Sequence, residues 1–383
     1  GRRSCDDSAP RNAPERIAWM TNELGWIFPT LAIATWVGVP CYAAIARGRV
    51  YAIFAAVLLT LSLPAALVLH GRLRMLFPPG VAAGLDLLFA YSMAAAAVQL
   101  AHLVRARMRS SLFRWAVSVP AQTFIAGGML AGPWLLVLLP LRLLCQALDW
   151  TGALTVLPFV EALPLAVAVA SIATSIAVRP ETVRFRLGDV GPRELSRVPV
   201  ERFRGSEPTP LRDRPLRLVQ LTDTHLGPWQ SVRRLRERIA SLVAREPDLV
   251  VLTGDFLTME SMGTPGCLEA ALEPLAAMAD RCIAIFGNHD HEAPETVRRA
   301  MAVHGIRLLV DDEACLETPV GPVQIVGADY RSSERREHLA GLLDRFPRRA
   351  GHLRLLLLHD PSGFHALPED EVDLVLSGHT HGG

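Results

Sequence analysis

Five apolar stretches constrain this chain more than anything else in its 383 residues. Residues 26–46, 50–69 and 115–141 carry no charged side chain, 81–104 carry only Asp86, and 152–178 only Glu161. About 20 apolar residues suffice for a helix to cross the hydrocarbon core of a bilayer. Inside lipid every backbone N–H and C=O needs a partner within the protein, so runs of this kind become helices. The runs therefore predict five membrane-spanning helices, with 152–178 the one that could instead be re-entrant or interfacial. They are too long and too many for a signal peptide. An acid inside a span is a functional candidate by default. Asp86 and Glu161 nevertheless read better as acids near a helix end or paired inside the bundle.

Arginines flank the runs at positions 2, 3, 11, 16, 47, 49, 72 and 74, most densely at Arg105, Arg107, Arg109 and Arg114, and again at Arg179, Arg184 and Arg186. With five spans the dense loop and the C-terminal half share a side, which the positive-inside rule makes the cytoplasm; the arginines near the N-terminus pull the other way. Net charge is only +1, which gives no electrostatic case for nucleic acid. The six cysteines form no Cys-x-x-Cys and no dense framework, so Cys267, Cys282 and Cys315 read as small core residues. The chain begins at Gly1 rather than Met and stops at Gly383 directly after a motif, as expected of a piece of a longer protein, truncated at its C-terminus. The expected division is an N-terminal cap over 1–25, a membrane domain over 26–178, a linker with first strands over 179–214, and a second domain over 215–383. In the linker, 182–187 and part of 198–203 alternate apolar and polar residues, as half-buried strands do.

From residue 216 the pattern changes to strand, helix, strand. Helical spacing is read over 233–244, 268–278, 295–304 and 336–343. The apolar runs between are nearly continuous, as in strands buried on both faces, so the domain is α/β with a layered sheet core. Five of these runs end in polar residues able to bind metal. Residues 216–222 end at Asp223 and His225; 248–253 at Asp255; 282–286 at Asn288, His289 and Asp290; 353–358 at His359; and 372–377 at His379 and His381. Ligands in α/β folds sit beyond the carboxyl ends of the strands, so all five clusters are expected at one edge. Leaving His289 and Asp290 aside, two Asp, one Asn and four His make seven N/O donors without a thiolate. That is too many for one tetrahedral zinc but suits two ions sharing a carboxylate, a device for in-line displacement at phosphorus.

In order, the five blocks Asp-x-His, Gly-Asp, Gly-Asn-His-Asp, a lone His and Gly-His-x-His resemble the calcineurin-like metallophosphoesterases over residues 216–381. The resemblance implies a two-sheet sandwich flanked by helices. It implies two divalent ions (manganese, iron or zinc): Asp223, His225 and His381 on the first, Asn288, His359 and His379 on the second, Asp255 bridging them. It further implies attack by a hydroxide held between the ions, with His289 facing the phosphoryl group and Asp290 orienting or polarising its neighbours. His291, His304 and His365 match no family position, and Asp329, at the end of another strand, receives no role. Phe256-Leu257-Thr258 stands after Gly254-Asp255 where protein Ser/Thr phosphatases have Tyr-Val-Asp-Arg-Gly, so a protein phosphatase is not expected. The ending at 378–383 looks more like the bacterial membrane-associated branch, whose members include phosphodiesterases and hydrolases of nucleotide-linked lipid precursors. The expectation is an integral protein of a bacterial cell membrane that hydrolyses a phosphodiester, phosphomonoester or pyrophosphate bond, on an amphiphilic substrate or a soluble one. A receptor or scaffold with a non-catalytic metal site would show a lost ligand, and none is missing. A transporter with an accessory domain would need paired polar residues or broken helices in the spans.

Overall fold

A computed structural model describes residues 13–176, 181–184, 201–203, 215–368 and 371–381. The chain divides into two compact units, the first of residues up to Arg105 and from Arg109 to Val178, the second of Ala106–Met108 and the residues from Arg179 on. Most of the expected linker, and residues 1–12 of the expected cap, lie outside the described residues. Within the linker, β1 (Thr182–Arg184) and β2 (Glu201–Phe203) pair antiparallel.

The first unit is helical: α1 (Ala13–Ala46), α2 (Arg49–Arg74), α3 (Pro79–Leu103), α4 (Val119–Ala147), α5 (Thr151–Glu161) and α6 (Leu163–Ile176). Five helical stretches are long and apolar enough to cross a membrane. α1 begins inside the stretch expected as a cap. The fifth run differs from its expectation in being two helices. Pro164 has no N–H to give the Val160 carbonyl four residues before it, and the Trp134 indole of α4 donates to that carbonyl instead at 2.9 Å. The same substitution occurs ahead of α4. There the chain takes a π-helical turn over Arg114–Ser118, Pro120 leaves the Ala116 carbonyl without its helical donor, and the Tyr91 hydroxyl supplies one at 2.5 Å. Small residues let the helices close up: a Cβ on Gly128 would lie 2.6 Å from the Ser62 carbonyl of α2. Phe28, His70, Phe89 and Phe124 form an edge-to-face cluster at the centre.

Both intramembrane acids are paired. Asp86 lies 2.8 Å from His70 Nε2 and 3.1 Å from Arg74 Nε. Glu161 accepts from Arg72 at 2.7 Å and from Arg142 at 2.9 and 3.1 Å.

The second unit is built on two four-stranded sheets. The first is all parallel, in the order β3 (Leu218–Leu221), β4 (Leu249–Leu252), β5 (Cys282–Ala284), β6 (Arg307–Leu308). The second runs β10 (Leu374–Leu376), β9 (Leu353–Leu358), β8 (Gly321–Ala328), β7 (Asp312–Thr318), parallel except for the β7–β8 hairpin. Side chains alternate strictly across each sheet. Leu249, Val251, Ile283 and Ile285 of the first sheet pack against Val323, Ile325, Leu355 and Leu357 of the second. Their neighbours Val250, Leu252, Ala284 and Phe286 face α7 (Val232–Val243), α8 (Cys267–Leu272) and α9 (Pro294–Val303). Val326, Leu356 and Leu358 face α10 (Arg335–Arg345). The result is a four-layer helix–sheet–sheet–helix sandwich, which explains why the strands read as unbroken apolar runs. Cys267 and Cys282 lie in its core, whereas Cys315 is exposed. The helix expected over 268–278 ends at Leu272 and continues as a 3₁₀ turn over Glu273–Arg281, because Pro274 cannot donate to the Ala270 carbonyl.

Parallel pairing of β3, β4 and β5, and of β8, β9 and β10, turns all their carboxyl ends to one edge within each sheet. The loops after β3, β4, β5, β9 and β10 carry the candidate site.

Candidate metal centre

Short backbone hydrogen bonds lace these loops together. Asp223 N–H donates to the Gly254 carbonyl (3.1 Å), His225 N–H to that of Asp255 (3.0 Å) and Gly378 N–H to that of His359 (2.9 Å). The approach is close enough to require glycine: a Cβ on Gly254, itself at φ 92°, would sit 2.3 Å from Gly287 N. Asp223, His225, Asp255, His379 and His381 all have φ between 37° and 70°. Non-glycine residues rarely adopt this left-handed region, and such strain concentrates at functional sites.

Two groups of donor atoms result. Asp223, His225 and His381 form one, and Asp255, His359 and His379 the other, each with its donor atoms within 4.8 Å of one another. Asn288 joins the second group, its Oδ1 lying 3.1 Å from His359 Nε2 and 2.9 Å from His379 Nδ1. Asp255 stands between the groups, its Oδ2 at 3.6 Å from His225 Nε2 and 3.3 Å from His359 Nε2. His225 and His381 stack, with Nε2 atoms 3.2 Å apart. The His359 Nδ1–H donates to the Thr253 carbonyl at 2.7 Å, which turns the Nε2 lone pair inward. That lone pair then faces the Asn288 and Asp255 oxygens, which are acceptors too. Converging lone pairs of this kind need a proton or a cation between them, so the donor set fits a pair of N/O-liganded divalent ions.

The titration behaviour agrees with an acceptor-rich centre. Burial pushes the Asp255 carboxyl up, but the hydrogen bonds of His359 and of the His289 N–H, with the charges of His359 and His225, outweigh it and leave the group below the usual carboxylate range. Burial pushes His359 down, but Asp255, the Thr253 carbonyl and Asp223 carry it above the ordinary imidazole value. His225 goes the other way: burial and the neighbouring His381 and His289 outweigh Asp255 and Asp223.

The remaining sequence candidates take different places. His289 belongs to neither group. Its ring is 5.3 Å from that of His225, half-exposed, and its Nδ1 lies 3.2 Å from Glu292 Oε1. Asp290 is fully buried, and its carboxylate accepts the backbone N–H groups of Asp255 (2.7 Å), Phe256 (2.9 Å) and Gly287 (2.8 Å). Burial pushes its pKa up to about 6, while the N–H donors pull it back. His291 pairs with Asp329 at 3.0 Å, and His304 meets the Glu269 carbonyl. His365 packs its ring 6.1 Å from that of Phe364. Tyr330 went unremarked in the sequence. Its ring lies 6.3 Å from that of His359 and 6.4 Å from that of His379. The strand-end rule, applied to Gly321–Ala328, was the signal available for it.

A parallel-stranded sandwich with N/O donors gathered on its loops is the architecture of metal-dependent phosphoesterases. Residues 216–383 match the family model for calcineurin-like phosphoesterases, and this part of the chain belongs to that family. It is 29% identical over 178 residues to the phosphodiesterase YaeI of Escherichia coli, a match covering 44% of this chain and 62% of that protein. It is 32% identical over 195 residues to a transmembrane protein with metallophosphoesterase domain of Danio rerio, covering 44% of this chain and 40% of the other. Over 79 residues it is 38% identical to the UDP-2,3-diacylglucosamine pyrophosphatase LpxG of Chlamydia trachomatis, 20% of this chain and 23% of that one. The chain thus spans less than two thirds of the length of the relatives it matches.

Proposed function

We propose that the second unit is a metal-dependent phosphoric ester hydrolase and that the five-span helical unit holds it at a membrane. The observation that carries this reading is the meeting of two N/O donor groups at Asp255. Asp223, His225 and His381 would hold one ion, and Asn288, His359 and His379 the other, with Asp255 contacting both. When bound, such ions supply Lewis-acid charge at phosphorus and lower the pKa of water to near 7. The protein does the rest. The Thr253 carbonyl keeps the His359 proton on Nδ1. The Glu292 carboxylate would accept from His289 Nδ1–H, and the ring, when it also carries a proton on Nε2, could donate that proton to a phosphoryl oxygen or to the leaving oxygen. Asp290 touches no reacting group in this scheme; it is a positioning residue that ties the Gly254–Asp255 and Gly287–Asn288 turns together.

The names of YaeI and LpxG motivate a phosphodiester or pyrophosphate bond as the target, and the fused helical unit motivates a lipid-linked headgroup. The test is hydrolysis of lipid-linked and soluble phosphodiesters by the purified chain in detergent, with manganese, before and after chelation. Turnover should vanish on chelation and return with metal, and Asp255→Ala should lose at least a hundredfold (~3 kcal/mol of transition-state stabilisation). Unchanged turnover after chelation would sink the hydrolase reading. Equal rates on lipid-linked and soluble esters would sink only the lipid one.

In this reading the second unit lies in the cytoplasm of a bacterial cell; the arginine-dense 105–114 loop and the odd number of spans support that side. Membrane-impermeant thiol reagents applied to intact cells should then spare the exposed Cys315; labelling there reverses the orientation.

A further inference from the structure

Among the described residues, three arginines at one end of the helical unit gather around two buried carboxylates. The last turn of α2 carries His70, Arg72 and Arg74. His70 and Arg74, four residues apart and so on one helix face, both reach Asp86. Arg72 turns instead to Glu161, which also binds Arg142 of α4. Both carboxylates are 1% exposed. Among the described residues Glu161 is shared by two guanidiniums, one more than it neutralises.

A guanidinium has five N–H donors. Among the described residues Arg72 and Arg142 use theirs only on Glu161. The side chains are 22% and 15% exposed, and none of their nitrogens is a buried unpaired atom. The spare donors therefore open at the surface of the bundle. Leu139 and Leu143, within three residues of Arg142, and Phe159 and Leu163, within two of Glu161, are exposed apolar side chains at the same depth along their helices, the kind that meets acyl chains. Arg72 is two residues from the end of α2 and Arg142 five from the end of α4. At a rise of about 1.5 Å per residue this is headgroup depth, not the bilayer centre. A surplus cation with spare fork-like donors, in an apolar surface at that depth, matches a phosphate group borne on a lipid.

We propose that Arg72 and Arg142, held together by Glu161, bind the phosphate of an anionic lipid headgroup. The proposal stands apart from the hydrolase reading, and its test needs no turnover. The full chain is reconstituted in phosphatidylcholine nanodiscs with or without phosphatidylglycerol. Lipid retained through delipidation is counted by native mass spectrometry, and the melting of the helical unit is followed. The wild type should retain phosphatidylglycerol over phosphatidylcholine and melt higher with it. Arg142→Gln should bind it roughly fivefold more weakly, the worth of one cation near an anionic headgroup. Glu161→Gln removes the competing carboxylate and should bind it more tightly than wild type. A merely structural ion triad gives the opposite pattern, with Glu161→Gln less stable and no more lipid-selective, and that result overturns the proposal. So does equal retention of the two lipids by the wild type, or stabilisation by inorganic phosphate as large as that by phosphatidylglycerol. Should Arg142→Gln fail to fold, the wild-type preference and Glu161→Gln decide alone.

Discussion

At the scale of single residues, Asp290 shows how a motif position can matter without touching chemistry. Three backbone N–H groups from two loops end on its carboxylate. In Asp290→Asn one of the two oxygens becomes an amide NH₂, which faces N–H donors rather than accepting from them. The variant should be destabilised by about 1–3 kcal/mol, the cost of leaving buried donors unsatisfied, and should bind manganese more weakly, since the turns holding Asp255 and Asn288 loosen. Thermal unfolding and manganese titration of the same sample check both; unchanged metal affinity would count against the positioning role. The sequence marks Asp290 as part of a Gly-Asn-His-Asp block. It cannot reveal that the carboxylate points back into the loops, because two of those N–H groups belong to Asp255 and Phe256, more than thirty residues away and brought close only by sheet pairing.

At the scale of elements, the prolines in the helical unit explain where helices break and what repairs them. Trp134 and Tyr91 each donate to a carbonyl whose i+4 helical donor is lost, at Pro164 or Pro120. Interhelical hydrogen bonds of this kind contribute about 0.6–1.7 kcal/mol in membrane proteins. Trp134→Phe should therefore cost about 1 kcal/mol in a reversible denaturant titration, and Pro164→Ala, which restores an N–H near Val160, should recover part of it. A Trp134→Phe variant as stable as wild type would mean that Val160 needs no outside donor. The helices and the strands bearing the motifs were legible because apolar length and punctuation are local properties. The partner of Val160 was not, since Trp134 stands on another helix; the break at Ala162 and the 3₁₀ turn at Glu273 follow from the nearby Pro164 and Pro274, a local signal that the long apolar run and the helical spacing around them masked.

At the scale of the whole molecule, metal should matter to one unit and not to the other. The candidate ligands are spread from Asp223 to His381, so an ion bound to the folded second unit and not to its unfolded chain stabilises that unit by mass action. The gain is about 2.7 kcal/mol per ion at a free concentration one hundred times its Kd. Calorimetry of the full chain should show chelation lowering one transition and leaving that of the helical unit in place. A uniform shift, or none, would contradict a metal centre confined to the sandwich.

Composition and order along the chain determined a great deal: five apolar helices, an α/β domain behind them, and seven donors placed at strand ends. Each of these follows from a short-range pattern, whether hydrophobic length, alternation, or a glycine beside a polar residue. Tertiary structure alone decided that the Thr253 carbonyl orients His359, that Tyr330 stands beside the centre, and that Glu161 is shared by Arg72 and Arg142. Those are contacts between residues from 19 to 106 positions apart, and only the packing of sheets and helices chooses which distant side chains meet.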